Sequence, residues 1–360
     1  MSQTEVTRHI TDHLDNSFPS TGETPVTSGK LLVTGAWIDR ARLESLERLG
    51  LRLRRPSHVL TEEELEHELK GAVAYLHGGE ERATAAALLS AKETLKVVAF
   101  VGVGYESFVD VAAADDLDIV VTSTPGAARD SVATFTVAQI INTNWQIVQQ
   151  LGNRYPDWDN PDELPHELSA RKIGIVGMGT IGTRIAEILR QAFGAKVGYY
   201  SRTRKEILEK ELDLEYQPLR ELVAWSDILV VMVPGNEKTK YMIDAGILAE
   251  ARKGTILINT ARPSVVDPEA LYTSMEEGRI SLAVFDGFYP KDSEAAARLL
   301  EDFGGRLLVT GHIASHTREA MDRMVNQAVR SIENVLNGLT DPYAVGARSD
   351  RLPEARESSP

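Results

Sequence analysis

Short apolar runs alternate with amphipathic stretches along most of the chain. Between residues 30 and 125 the runs 31–34, 51–54, 72–76, 97–101 and 119–122 predict strands, and the intervening stretches 39–49, 61–69, 84–91 and 108–115 carry helical spacing. From Lys172 a second series begins, KIGIVG, VGYYS, DILVVMV, TILINT, LAVFD and RLLVT. These runs are nearly continuous in Val, Ile and Leu, as in parallel strands covered on both faces. Alternating β and α of this kind predicts doubly wound parallel sheets. Residues 131–150 read as one long helix with Phe135, Ala138, Ile141, Trp145 and Val148 on one stripe. That stripe either lies inside the monomer or meets a second copy. A polar, proline-marked stretch, 153–169, follows it, and helical spacing returns over 317–336. Residues 1–29 and 341–360 lack periodicity and read as a flexible arm and a loose tail.

The length of 360 residues calls for two domains. A net charge of −14 argues against nucleic acid and anionic membrane surfaces as partners, while leaving room for a local basic pocket. With no cysteine in the chain, disulfides, thiolate chemistry and cysteine-ligated metals are excluded. The strongly apolar run 228–233 is too short to span a bilayer, and the first thirty residues carry no apolar signal core. The expectation is a cytoplasmic protein with no membrane partner.

The stretch KIGIVGMGTIGTRIAEILRQAF is strand, glycine turn and helix in immediate succession. Gly177 permits the turn, Gly179 lets backbone approach a pyrophosphate, and Gly182 lets helix and strand pack closely. The helix carries Ile181, Ile185, Ile188 and Ala192 on one face, and its free amides and dipole favour an anion at its start. A dinucleotide site follows. NAD sites place an acid at the end of the second strand to bind the ribose 2′-hydroxyl. Here that strand ends in Tyr199-Tyr200-Ser201-Arg202-Thr203-Arg204, with no acid before Glu206. Ser201 with Arg202 or Arg204 suits a 2′-phosphate, so NADP is expected, with NAD possible.

With these motifs in place, the chain resembles the D-isomer-specific 2-hydroxyacid dehydrogenases from about residue 30 to 339. The matching stretches are VGVGYESFVDVAAA, TPGAARDSVA, GIVGMGTIG, VPGNEKTKYMI, NTARPSVVDPEAL and TGHIASHTREA. The resemblance implies a Rossmann domain, 126–312, inserted in a flavodoxin-like substrate domain, 30–125 and 313–340, with the active site in the cleft between them. It implies a homodimer through the long helix, and a small anionic 2-oxo or 2-hydroxy acid as substrate. It extends the cofactor-binding set to Thr180, Ile181, Thr203, Val233, Pro234, Thr239, Thr260, Ala261 and Asp286. By the same resemblance Arg262 holds the substrate carboxylate and carbonyl, and His312 is the general acid–base. The turn His77-Gly78-Gly79 grips the substrate carboxylate through backbone amides, and Asp286 is a structural or supporting group.

The chain departs from the family's pattern around the chemistry. Pro263 follows the arginine where glycine is usual, and Gly311 precedes the histidine where proline is usual. The position of the glutamate that partners the histidine falls on Lys291, with Asp292 next. Two expectations follow. Either Asp292 reaches the histidine and restores ordinary chemistry, or Lys291 points inward and reads a second anionic group. His316 lies four residues beyond His312 but no third ligand accompanies them, so no metal is expected. The competing class is a catalytically silent NAD(P)-binding regulator.

Overall fold

The computed structural model describes residues 28–151 and 164–347. The chain divides into two compact units: Met1–Val101, Phe108–Ser123 and Ala328–Pro360 form one, and Gly102–Ser107 with Thr124–Gln327 form the other. Each is an α/β layer structure on its own parallel sheet. In the first unit the strands are β1 (Gly29–Thr34), β2 (Leu51–Arg54), β3 (Ala72–His77), β4 (Val97–Phe100) and β5 (Val120–Thr122). In the second they are β6 (Lys172–Val176), β7 (Lys196–Tyr200), β8 (Glu215–Tyr216), β9 (Ile228–Val231), β10 (Thr255–Asn259), β11 (Ile280–Asp286) and β12 (Leu307–Thr310). A last short strand, β13 (Ala344–Val345), returns to the first sheet. The orders are β13-β5-β4-β3-β1-β2 and β12-β11-β10-β9-β6-β7-β8.

The sequence pattern explains the second sheet directly. Along β9, Leu229 and Val231 join one apolar cluster while Ile228 and Val230 join the other. Side chains alternate across a strand, so a run apolar at every position feeds a core on each face. One cluster packs Leu222, Leu248, Leu271 and Met275 from the covering helices; the other packs Ile185, Leu189, Val137 and Ile140. Each such fully buried side chain is worth roughly 1.5–3 kcal/mol. In the helix Thr180–Phe193 the buried face is Gly182, Ile185, Ala186 and Leu189. Ile181 and Ile188 are only half-buried, and Ala192, expected toward the sheet, is exposed.

Other expectations are corrected. The helix expected over 131–150 is Arg129–Asn144, followed by a break and a short turn, Ile147–Gln150. Gln146 sits at φ +51°, a left-handed conformation that cannot continue a right-handed helix. The polar run before it competes for the backbone: Thr143 Oγ1 donates to Gln139 O at 2.7 Å and Asn144 Nδ2 to His166 O at 2.6 Å. The helix expected over 39–49 starts as a 3₁₀ turn, Arg40–Leu43, because the Asp39 carboxylate accepts from Ala41 N.

The tail expected from residue 341 begins later. Asp341 is buried and accepts from Ser331 Oγ at 3.1 Å, Asn334 Nδ2 at 2.9 Å and Tyr343 N at 2.9 Å. This clasp on the helix Arg318–Leu336 delivers Ala344–Val345 antiparallel to β5. The expected arm loses its last residue, since Gly29 opens β1; residues 1–27 and 348–360 lie outside the described residues.

Candidate active site

The turn after β6 is built on contacts that admit only glycine. Gly177 has φ +110°, and a Cβ there would lie 2.6 Å from Met232 O; a Cβ on Gly182 would lie 2.1 Å from Gly177 O. A Cβ on Gly179 would meet nothing within 4 Å, so this backbone faces open space. No side chain caps the helix Thr180–Phe193, and the amides of Gly179, Thr180 and Ile181 have no partner among the described residues. Unpaired amides at a helix start attract a phosphate anion. Gly177 N donates to Tyr200 O at 2.8 Å, tying the turn to the end of β7.

Beyond Tyr200 the two arginines separate. Arg204 is held by Glu209, with Nε to Oε1 at 2.9 Å and Nη2 to Oε2 at 2.7 Å, and lies over the Tyr216 ring. Tyr199 adds its hydroxyl to Glu209 at 2.7 Å. Arg204, ahead of Tyr199, holds the Glu209 carboxyl at about 2. Ser201 is half-buried, whereas Arg202 and Thr203 are exposed with no polar partner among the described residues. The remaining residues expected around the cofactor are partly committed to each other. Thr239 Oγ1 donates to Pro234 O at 2.5 Å and accepts from Asn236 N at 3.0 Å, closing that loop next to Val233. Thr260 shares its hydroxyl with Thr136 at 2.7 Å, and Ala261 N donates to Asn259 Oδ1 at 3.1 Å.

Arg262 and His312 come together: Nη1 lies 3.5 Å from Nε2. Asn259 folds the arginine's turn, since Nδ2 donates to Arg262 O at 2.9 Å. The arginine side chain is flanked by two glycines, one at the guanidinium and one at its stem. A Cβ on Gly104 would lie 2.1 Å from Nη2, and one on Gly235 would lie 2.6 Å from the arginine's own Cβ. The amides of Gly102, Val103 and Gly104 have no partner among the described residues. An arginine fork beside unpaired amides is a receptor for a carboxylate.

His312 occupies a left-handed turn, φ +58°, that a histidine enters at a cost. The buried Asp286 at the end of β11 holds it there. Oδ1 accepts from Thr310 Oγ1 at 2.6 Å and Ile313 N at 2.8 Å, and Oδ2 from Ala314 N at 2.8 Å. Ser131 Oγ fastens the other side by donating to Ala314 O at 2.6 Å. Asp286, expected among the cofactor contacts, thus has both oxygens engaged by the chain. Burial lowers the His312 pKa from its ordinary value; Arg262 and His316 lower it further, and Asp286 opposes them. Burial likewise lowers Arg262, against the opposing charges of Glu106 and Asp286.

The expected partners of the histidine are elsewhere. Lys291 and Asp292 are exposed, and neither contacts His312 among the described residues. Phe288 and Tyr289 turn inward onto Phe285, Tyr289 Oη donates to Val266 O at 3.0 Å, and Ser293 caps the helix Glu294–Phe303. With the aromatic pair and the cap both anchored, the three residues between them, Pro290, Lys291 and Asp292, are exposed.

The turn His77-Gly78-Gly79, expected to grip the carboxylate, lies in the first unit. The His77 ring is buried, stacked on Tyr75 with Nε2 2.9 Å from Glu81 O, and burial pushes its pKa down to about 4. Gly78 N is spent on Thr34 O at 3.2 Å, and only Gly79 N is without a partner among the described residues. Gly104, whose backbone lies against the arginine, belongs to the VGVG stretch, to which the resemblance gave no role of its own. No group of three or more potential metal ligands occurs among the described residues, and no helix there is long and apolar enough to cross a membrane.

Comparison with known proteins agrees with this architecture. Residues 136–314 match the family described as D-isomer specific 2-hydroxyacid dehydrogenase, NAD binding domain. A glyoxylate reductase of Aeropyrum pernix is 35% identical over 266 residues, covering 72% of this chain and 78% of that protein. One from Thermofilum pendens is 36% identical over 267 residues, covering 72% and 77%. The solved structure of a glyoxylate reductase from Paecilomyes thermophila superposes with a TM-score of 0.73 at 26% identity, covering 86% of this chain and 96% of that one. Together with these relatives, the two parallel-sheet units and the glycine turn place the chain among the NAD(P)-dependent oxidoreductases of 2-hydroxy acids. The chain belongs to the D-isomer specific 2-hydroxyacid dehydrogenase family.

One substitution isolates the anchor. Gly104→Ala forces the guanidinium away from a Cβ that would lie 2.1 Å from Nη2. A displacement of about 1 Å at a reacting centre costs on the order of a hundredfold. The expected outcome in steady-state assays is that loss in kcat/KM with dinucleotide affinity retained; unchanged kcat/KM would show that the contact does not position Arg262.

Proposed function

We propose that this protein interconverts a small 2-oxo acid and its 2-hydroxy acid with NADP(H), using Arg262 as anchor and His312 as proton donor and acceptor. The observation that carries the reading is the 3.5 Å approach of Arg262 Nη1 to His312 Nε2 beside the unpaired amides of Gly102–Gly104. An anion held by that fork presents its adjacent carbonyl oxygen to the imidazole. The residues around Gly177 fit a dinucleotide: an uncapped helix start for the pyrophosphate and open backbone at Gly179. When bound there, the nicotinamide supplies the hydride. His312 then supplies the proton that the carbonyl oxygen takes up, and removes it in the reverse direction. Asp286 and Ser131 hold the imidazole in place throughout. The catalytically silent reading has no observation of its own in its favour, since the anchor and the acid are both present and adjacent.

The pH dependence tests the pairing. Reduction needs the protonated imidazole, and burial with Arg262 lowers its pKa in the free protein. So kcat/KM for reduction is expected to be flat at low pH and to fall as pH rises through a value below the ordinary histidine pKa of about 6.5. His312→Ala should remove that limb with the activity. Arg262→Gln, though weakened, should move it upward, because removing a cation favours imidazolium. A limb that ignores Arg262→Gln would rule out the coupling.

For the cofactor, Ser201 and Arg202 are the groups we assign to a 2′-phosphate, because Arg204 is already held by Glu209. A charge-assisted contact is worth roughly 1.5–3 kcal/mol, so Arg202→Ala should weaken NADPH binding by about ten- to a hundredfold and leave NADH binding alone. Fluorescence titration reads both constants; equal affinity of the parent for NADH and NADPH would refute the assignment.

We further infer a homodimer. Ala138, Trp145 and Val148 of the apolar stripe are exposed, joined by Ile147 and Leu151, while the helix buries Val132, Ala133, Val137 and Ile140 instead. Apolar residues gathered at one exposed place mark an association surface. Light scattering at micromolar protein should give twice the monomer mass, and Trp145→Glu should lower it; a monomeric parent would dismiss the dimer.

A further inference from the structure

The loop that follows β7 is closed by one carboxylate. Glu209, on the helix Glu206–Leu212, takes the Arg204 guanidinium with both oxygens, Nε to Oε1 at 2.9 Å and Nη2 to Oε2 at 2.7 Å. Its Oε1 also accepts from the Tyr199 hydroxyl at 2.7 Å, and that hydroxyl in turn accepts from Lys205 N at 2.6 Å. The guanidinium lies over the Tyr216 ring, 5.6 Å from its centre. At its other end the loop leaves the tie between Gly177 N and Tyr200 O. Ser201, Arg202 and Thr203 thus stand between two fixed points, one of them the glycine turn.

The two halves of the ion pair are unequal. The Glu209 side chain is 14% exposed and that of Arg204 is 56% exposed. The carboxylate is therefore the fixed member, and the guanidinium is the one that can swing out if released. Parting two solvated charges costs little. Here, withdrawing the arginine would leave a largely covered carboxylate without its cation, which costs much more. A phosphate on the ribose has to offset that loss before it gains anything from Arg204. We propose that Glu209 is a specificity-determining residue of the dinucleotide site: it holds Arg204 back from the 2′-phosphate, so that the preference for NADPH over NADH is left to Ser201 and Arg202. This rests on the NADP(H) reading above. Glu209 acts only through the arginine and is a positioning residue.

Fluorescence titration of NADPH and NADH onto the parent, Glu209→Gln, Arg204→Ala and the double variant tests the hold. Glutamine keeps an acceptor for the Tyr199 hydroxyl and drops the charge that fixes the guanidinium. Glu209→Gln should tighten NADPH binding about tenfold, the low end for one charge-assisted contact, without tightening NADH. Adding Arg204→Ala to Glu209→Gln should remove the gain. A merely structural Glu209 would loosen the loop and weaken both dinucleotides together, and that result overturns the proposal. So does Arg204→Ala alone costing NADPH as much affinity as Arg202→Ala, because the arginine would then already hold the phosphate. If the parent binds both dinucleotides equally, the assignment of Ser201 and Arg202 fails, yet a gain confined to NADPH in Glu209→Gln still upholds the hold on Arg204. No gain in Glu209→Gln overturns it whichever dinucleotide the parent prefers, and leaves that assignment to its own test.

Discussion

Asp286 accepts three hydrogen bonds, one from the last residue of β12 and two from the amides just beyond His312. Burying a carboxylate is expensive unless donors surround it, and here the donors are the backbone of the very turn that must be fixed. The hydrogen bonds between Asp286 and this turn offset both the desolvation of the carboxylate and the strain of a histidine at positive φ. The imidazole consequently stands at the end of a rigid sheet, with Arg262 delivered from the end of β10, paired beside β11. Catalytic geometry of this kind is more exact on strand ends than on free loops.

Electrostatically the site differs from a histidine–carboxylate pair. No carboxylate other than Asp286 acts on His312 among the described residues, and the nearest charge is the Arg262 guanidinium. The imidazole therefore rests as a weaker base than a paired histidine, and an incoming carboxylate changes its surroundings more than it would in a neutralised site.

Much of this was legible in the sequence, for identifiable reasons. β9 is apolar at every position and β10 at its three central ones, because both faces are covered. Gly177 and Gly182 were legible because their constraint is local: strand, turn and helix are contiguous. The packing of Gly104 on Arg262 was not: 158 residues separate them, and glycine spacing does not say which distant side chain lies against it. The FYPKD loop misled for a related reason. Counting from Asp286 places Lys291 by number, whereas the inward packing of Phe288 and Tyr289 decides where it faces. The break at Gln146 and the two-residue β13 depend on single backbone angles and one buried carboxylate, which periodicity does not register.

The assignment of Gly102–Ser107 to the second unit has a consequence for modularity. Six residues leave the first sheet after β4, lend their backbone to the neighbourhood of Arg262, and return at Phe108 to the unit they came from. A fragment cut as Thr124–Gln327 would keep every residue of the glycine turn and lose the backbone that packs on Arg262. The glycine turn is thus contained in one stretch of chain, whereas the surroundings of Arg262 are not. Exchange of whole α/β units between relatives would keep the first together and pair Arg262 with a foreign stitch.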